Sequence, residues 1–161
     1  MPGTYTHPHH SLASLLKHYR TPLLVSLLVV ILDQLTKGLV LSRMYPHQSI
    51  PLLPGIFHLT YIQNTGIIFG LFQNTNTFFL VLSLCIIIGV LYILLQVSNT
   101  DRTIQILLGM LLGGAIGNVI DRFMLKFVVD FIDVRFFYVF NVADSAITLS
   151  IIALIIFLWN K

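Results

Sequence analysis

The stretch VVDFIDVRFFYVFNVADSAI, residues 128–147, carries Asp130, Asp133 and Asp144. These are half of the six acidic side chains in a chain of 161 residues that contains no glutamate. The stretch starts in β-branched residues, passes through an aromatic run and ends where the last long apolar segment begins. A carboxylate at the centre of a membrane-spanning helix costs about 2.5–3.5 kcal/mol and much less near a helix end. Acids gathered at the mouth of an apolar segment therefore mark a place where the chain meets a membrane surface, and where their cost is offset by structure or chemistry.

The composition around this stretch supports a membrane setting. Hydrophobic residues make up 57% of the chain and charged residues 9%, with a mean hydropathy of +0.91. Soluble domains carry about 25% charged residues. The chain therefore reads as one integral membrane domain over residues 1–161. The net charge of +3 rests on few residues and includes no basic tract, which excludes a nucleic-acid partner. The single cysteine, Cys85, cannot form an internal disulfide and reads as a buried thiol in an apolar run. None of the six histidines lies in an apolar run, and His7-Pro8-His9-His10 reads as a polar tail rather than a metal site. The chain contains neither H-E-x-x-H nor G-x-S-x-G, and nothing in it calls for a metal or cofactor.

Four apolar runs reach the roughly 20 residues needed to cross a bilayer. They cover about 22–41, 78–97, 104–123 and 143–159, behind an N-terminal tail over 1–20. Pro22 suits the first turn of the first helix. That helix reads as an anchor rather than a cleaved leader, because no small-x-small site follows and the run continues through Asp33 and Lys37. The link 44–77 contains Phe57, Leu59 and Tyr61 alternating with His58 and Thr60, a strand pattern. The expected architecture is an all-α membrane protein of four transmembrane helices, with a small β-sheet from 44–77 lying on the membrane surface. Four crossings put both termini on one side and both long links on the other. With Lys37 and Arg122 set aside as functional charges, Lys17, Arg20, Arg102 and Lys161 outnumber Arg43, Lys126 and Arg135, which favours cytoplasmic termini.

The remaining polar residues fall in clusters. Asp33 and Lys37 are one helical turn apart and read either as a local ion pair or as a brace to other helices. Gly109, Gly113 and Gly117 form a small-residue seam for close helix packing. Gly114, Asn118 and Arg122 line the next face, as a hydrogen-bond network or a substrate clamp. Asn141 followed by Asp144 resembles a capping box, a structural account of Asp144. The alternative pairs Asp144 with Asp130, fourteen residues earlier, at one membrane surface. Adjacent carboxylates share a proton, so one can act as base on a water while the other donates to a carbonyl. Asp144, near a helix N-terminus, is then the more readily ionised. Asp133 should point away from Asp130 along a strand and reads as a surface residue pairing with Arg135 or Lys126.

Five blocks in order complete the reading: DQLTK at 33–37, NTGIIFG at 64–70, GGAIGNVIDR at 113–122, VVDF at 128–131 and FNVADSAI at 140–147. Together they resemble the bacterial lipoprotein signal peptidases, the signal peptidase II family, across nearly the whole chain. The resemblance implies a four-helix inner-membrane aspartyl protease that removes the signal peptide of a prolipoprotein before a diacylglyceryl-modified cysteine. It implies Asp130 and Asp144 as the catalytic pair, and Asp33, Lys37, Asn64, Gly114, Asn118, Arg122 and Asn141 as supporting residues. It also implies an active site facing the periplasm, a periplasmic β-cradle over 44–77, contact with membrane lipid and sensitivity to globomycin-type cyclic peptides. Ile67-Ile68 depart from the small residues usual in the second block, and residues 1–19 match no block. A transporter reading of the intramembrane charges is weakened by the lack of an inverted repeat and by acids that cluster toward one face. A non-catalytic assembly protein built on the glycine seam would leave Asp130 and Asp144 unexplained.

Overall fold

The computed structural model describes residues 12–66, 75–96 and 101–160. In chain order these form α1 (Leu12–Arg43), β1 (Ser49–Leu53), β2 (Phe57–Asn64), α2 (Thr75–Gln96), α3 (Arg102–Met124), β3 (Val128–Asp133) and α4 (Val142–Trp159). All four helices contain a segment long and apolar enough to cross a membrane, close to the four runs expected from hydropathy. Ile67-Ile68 and most of the polar tail lie outside the described residues.

The first helix starts earlier than its apolar run. Residues 12–20, LASLLKHYR, are mostly strong helix formers and extend the helix backward. Pro22 consequently sits well inside α1 instead of in its first turn. A proline there removes one backbone donor, which membrane helices tolerate when a neighbouring helix packs on the site. That neighbour is α3. A Cβ placed on Gly109 would come within 2.7 Å of the Pro22 carbonyl oxygen, and one on Gly113 within 2.6 Å of that of Ser26. Gly117 lies against the Asp33 carboxylate. The seam thus brings the α1 and α3 backbones together, as its spacing predicts.

Helix α3 is the centre of the bundle. Half of its apolar segment is buried, against under a quarter in each of the other three. One face packs on α1, one on α2 through Val90, Leu94, Leu108 and Leu112, and one on α4, where Gly114 leaves room for the Ala143 carbonyl. The outward faces of α1, α2 and α4 are nearly continuous leucine and isoleucine, the surface expected to meet acyl chains. Cys85 is on that outward surface of α2, not buried among protein side chains. Among the described residues α2 packs chiefly on α3, and much of its surface is exposed apolar side chain.

The sheet is larger in sequence span than expected. β2 forms where the alternation places it, and β1 pairs with it antiparallel through a Leu53–Ile56 turn with Gly55 at φ +76°, which fits a type II turn with Pro54 leading. Pro51 is tolerated because β1 is an edge strand. The third strand comes from the other link: β3 pairs antiparallel with β2, with Asp130 opposite Ile62 and Val128 opposite Asn64. Val40 and Met44 at the end of α1, Tyr61 on β2, and Val129 and Phe131 on β3 form one buried cluster, which roots the sheet on the bundle. The link after β3 exposes Phe136, Phe137 and Tyr138, suited to a membrane interface, while Trp159 is exposed at the far end of α4.

The seam yields a direct test. Gly113→Leu forces side-chain atoms into the α1 backbone and should destabilise by about 3 kcal/mol or more, the upper range for overpacking. Gly89→Ala, where nothing lies within 4 Å of the added Cβ, should be neutral or stabilising by up to about 1 kcal/mol. Thermal melting in detergent micelles would separate the two.

Candidate active site

The polar residues singled out in the sequence converge where the sheet meets the bundle. Asp130 comes from the middle of β3 and is 1% exposed. Its Oδ2 accepts a hydrogen bond from Asn64 Nδ2 on β2 at 2.8 Å, and its Oδ1 one from Asn141 Nδ2 at 2.7 Å. Asp144 sits in the first turn of α4, and its Oδ1 accepts from Asn118 Nδ2 at 2.7 Å. Asn141 is the N-cap of α4 and its Oδ1 accepts from the Asp144 N–H at 2.8 Å. The capping and site accounts of Asp144 therefore coexist: the cap places the residue, and its carboxylate turns to Asn118 on α3.

Asn141 and Asn118 tie the two acids together. Asn141 Nδ2 also donates to Asn118 Oδ1 at 3.2 Å, and Asn118 Oδ1 accepts from Lys37 Nζ at 3.1 Å. With its oxygen taken by two donors, the Asn118 amide has only its NH₂ to offer Asp144. Lys37 is 2% exposed and lies 2.8 Å from Asp33 Oδ2 and 3.0 Å from Asp121 Oδ2. Asp33 Oδ1 accepts from the Ala143 N–H at 2.9 Å. The Asp33–Lys37 pair is thus both a local ion pair and a brace to α3 and α4.

Electrostatics favour a proton on Asp130. Burial, and then the neighbouring Asp144 carboxylate, push the Asp130 carboxyl up to about 7. Hydrogen bonds from Asn64 and Asn141 and the charge of Lys37 pull the other way. Asp130 accordingly holds a proton over a pH range where an ordinary aspartate is ionised. Beside Asp144, a cavity of about 430 Å³ is lined by Phe136, Phe137, Phe140, Ser145 and Thr148.

Two expected residues behave differently from the rest. Gly114 contributes space, since a Cβ there would come within 2.5 Å of the Ala143 carbonyl oxygen. Arg122 turns toward α2, where Nη1 lies 3.5 Å from Ser83 Oγ and the guanidinium sits over Phe79. It remains within electrostatic reach of Asp144 and Asp130. Asp133 is not a surface residue. It is 5% exposed, with Thr60 Oγ1 donating at 2.7 Å and the Arg135 N–H at 2.8 Å. The pairing with Arg135 holds, and both bonds keep its carboxyl below the usual range, the Thr60 hydroxyl most of all. Its burial follows from the β2–β3 pairing, which sets His58 across from it and brings Thr60, two residues along β2, within reach of its carboxylate.

Asp121 and Gln34 had no role assigned from sequence. Asp121 accepts from Gln34 Nε2 at 3.0 Å and from the Val129 N–H at 2.9 Å, besides its pair with Lys37. A signal was present: Asp121 is the next step of the seam after Gly109, Gly113 and Gly117, so it faces α1 at the level of Lys37.

The profile of the family described as signal peptidase (SPase) II matches residues 25–160, a range that contains every residue of this network. The chain belongs to the signal peptidase II family. It is 38% identical over 138 residues to the lipoprotein signal peptidase of Halothermothrix orenii, covering 86% of this chain and 94% of that one. It is 45% identical over 128 residues to the lipoprotein signal peptidase of Caldanaerobacter subterraneus subsp. tengcongensis, covering 78% of this chain and 87% of that one. Among solved structures, a bacterial membrane enzyme determined by the in meso method at 2.3 Å resolution superposes with a TM-score of 0.80 at 33% identity, over 88% of each chain. A second such enzyme, at 1.9 Å resolution, gives a TM-score of 0.81 at 34% identity, over 86% of this chain and 92% of that one. The fold of this chain is thus the fold of experimentally determined membrane enzymes.

Within this family fold, Lys37→Met would leave Asp33 and Asp121 buried without their cation. Removing one partner of a buried ion pair costs about 3–5 kcal/mol. Unfolding in detergent should show a loss of that order, whereas a change below about 1 kcal/mol, the size typical of an exposed pair, would contradict the arrangement.

Proposed function

We propose that this chain is an aspartic endopeptidase that removes signal peptides from prolipoproteins, with Asp130 and Asp144 as its catalytic pair. One observation carries the assignment of residues. Two carboxyls from different elements, a strand and a helix, are held at one end of the bundle by a shared amide network, and one of them is biased toward the protonated form. Each acid alone has a structural explanation, but the common network of Asn64, Asn118 and Asn141 around both does not follow from capping or strand pairing.

In the mechanism the geometry supports, Asp144 is the ionised member and takes a proton from a water placed between the carboxyls. Asp130 donates its proton to the scissile carbonyl oxygen, so charge does not build up on the tetrahedral intermediate. Collapse of that intermediate returns a proton to the leaving amine. The amides of Asn64, Asn118 and Asn141 keep both carboxyls aimed through the cycle, since each oxygen they contact has a fixed donor. Arg122, held on α2 by Phe79 and Ser83, contributes positive potential without neutralising either acid by direct pairing.

The substrate reading is a prolipoprotein whose cysteine carries diacylglycerol, cut on the N-terminal side of that cysteine. Its acyl chains and signal peptide are embedded in lipid, and the apolar outward faces of the helices suit a lateral approach. The cavity bounded by Phe136, Phe137 and Phe140 opens beside Asp144 and suits an apolar part of the substrate. The sheet would serve as a cradle for the peptide. The orientation we infer places both termini in the cytoplasm and the sheet and acids on the periplasmic side of a bacterial inner membrane. A globomycin-type cyclic peptide should then compete with substrate at this site.

Asp130→Asn and Asp144→Asn should each fold, judged by melting, and each lower cleavage of a diacylglyceryl-modified prolipoprotein by about 10³-fold or more, the scale for losing a group that acts as part of a unit. Either folded variant cleaving at near wild-type rate would exclude the pair as assigned. The pH profile gives a second check. Because the Asp130 carboxyl is raised, the active form carries its proton below about 7, and kcat/KM should decline tenfold per pH unit above that value. The same proton bears on stability. Folding favours the protonated form, so Asp130's contribution is fully present below the unfolded value near 3.8 and is lost as pH rises through about 7. A rate that is flat from pH 6 to 9 would exclude Asp130 as the proton donor.

A further inference from the structure

Lys37 touches neither carboxyl of the proposed pair, yet it lies at the junction of both. Its ammonium holds two carboxylates, Asp33 at 2.8 Å and Asp121 at 3.0 Å. Each of these carboxylates makes one further bond to a backbone N–H. Asp33 Oδ1 accepts from Ala143, the residue immediately before Asp144, at 2.9 Å. Asp121 Oδ2 accepts from Val129, the residue immediately before Asp130, at 2.9 Å. One cation therefore joins two acceptors that grip the chain at equivalent points, one residue upstream of each acid. The third ammonium hydrogen goes to Asn118 Oδ1, which turns that amide's NH₂ toward Asp144. Gln34 Nε2 closes the far side, 3.0 Å from Asp121 Oδ1 and 3.2 Å from Asp33 Oδ2.

We propose that Asp33, Lys37 and Asp121 form a buried clamp that sets the separation of Asp130 and Asp144, with Asp121 the positioning residue for Asp130. The proposal rests on the reading of Asp130 and Asp144 as the catalytic pair. Its physical basis is that β3 and α4 belong to different parts of the fold. The sheet fixes Asp130 relative to β2 and the N-cap fixes Asp144 relative to α4; directly between them run the Asn141 amide, bonded to Asp130 and to the Asp144 N–H, and the Ile132–Phe140 backbone bridge. The clamp adds a second link, through α1 and α3, that holds the residue immediately before each acid. Backbone bonds are stiffer guides than side-chain bonds, because they leave only the rotamer of the aspartate to adjust. Among the described residues, the charged group that faces the pair besides the clamp itself is Arg122 on α3.

The test compares Asp121→Ala and Gln34→Ala with wild type, full-length in detergent micelles, cleaving a diacylglyceryl-modified prolipoprotein. Asp121→Ala frees the Val129 N–H, and misplacement of about 1 Å should lower kcat roughly 10- to 100-fold with little change in KM. As the acids drift apart their repulsion weakens, so the alkaline limb of the kcat profile should move to lower pH. Gln34→Ala leaves Lys37 paired and should shift both quantities in the same direction by less. A purely structural role predicts reduced yield or melting temperature with the kcat and pH profile of the folded fraction unchanged, and that result overturns the clamp. If Asp121→Ala does not fold, Gln34→Ala decides: an unmoved profile overturns the proposal and a shifted one supports it. Asp130→Asn and Asp144→Asn run alongside. If they are inactive while the clamp variants match wild type, the clamp alone fails. If they cleave normally, the catalytic assignment fails and the clamp falls with it.

Discussion

The buried ammonium of Lys37 is the constraint on which the rest depends. A lysine shut off from water inside a four-helix membrane bundle is stable only if each of its donors has an acceptor and its charge has partners. Three hydrogens meet Asp33, Asp121 and Asn118. These acceptors lie on two helices, so α1 and α3 must approach closely at one fixed register. The glycine seam makes that approach possible, since a methyl group at Gly109 or Gly113 would already meet the α1 backbone. Sequence small-residue spacing, helix register and charge burial are in this way one requirement seen at three scales.

From that anchor the site is assembled from unlike parts. A strand is a poor place to hold a carboxyl against a helix, because its side chains alternate and its edge is free to shift. Here the strand is rooted by Val129 and Phe131 in the same apolar cluster as Val40 and Met44 at the end of α1. The helix contributes its N-terminal turn, where the first backbone N–H groups bond to side chains and favour negative charge. Asn141 serves both, as cap to α4 and donor to Asp130. One asparagine therefore spans the boundary between sheet and bundle.

Much of this was legible in the sequence. The four spans follow from hydropathy, the seam from its spacing of four, and β2 from its alternation. The five blocks carried the family and nearly all of the network. What stayed hidden depended on distant pairing. That VVDFID would join the sheet as β3 requires β2 as its template, and six apolar-rich residues cannot show that locally. Asp133 looked solvent-facing because nothing in its neighbourhood announces Thr60, seventy-three residues away. Asp121 was visible as the next step of the glycine seam but reads, without Lys37 opposite, as an ordinary charge at a helix end. Pro22 misled because proline is so often a helix start; the strong helix formers before it carried the helix back to Leu12. Cys85 misled for a related reason, since an apolar run in a membrane protein buries its residues in lipid as readily as in protein.

The packing of α2 has a mechanical consequence. α1, α3 and α4 are locked by backbone-close contacts and by charges that resist displacement, so they behave as a stiff frame. α2 is attached mainly along one apolar line on α3, reinforced by Arg122 over Phe79 and by Asn76 on the Arg122 carbonyl. Compliance is therefore concentrated in a single helix. A force applied from the side of α2 is therefore taken up there, away from the frame that holds Asp130 and Asp144.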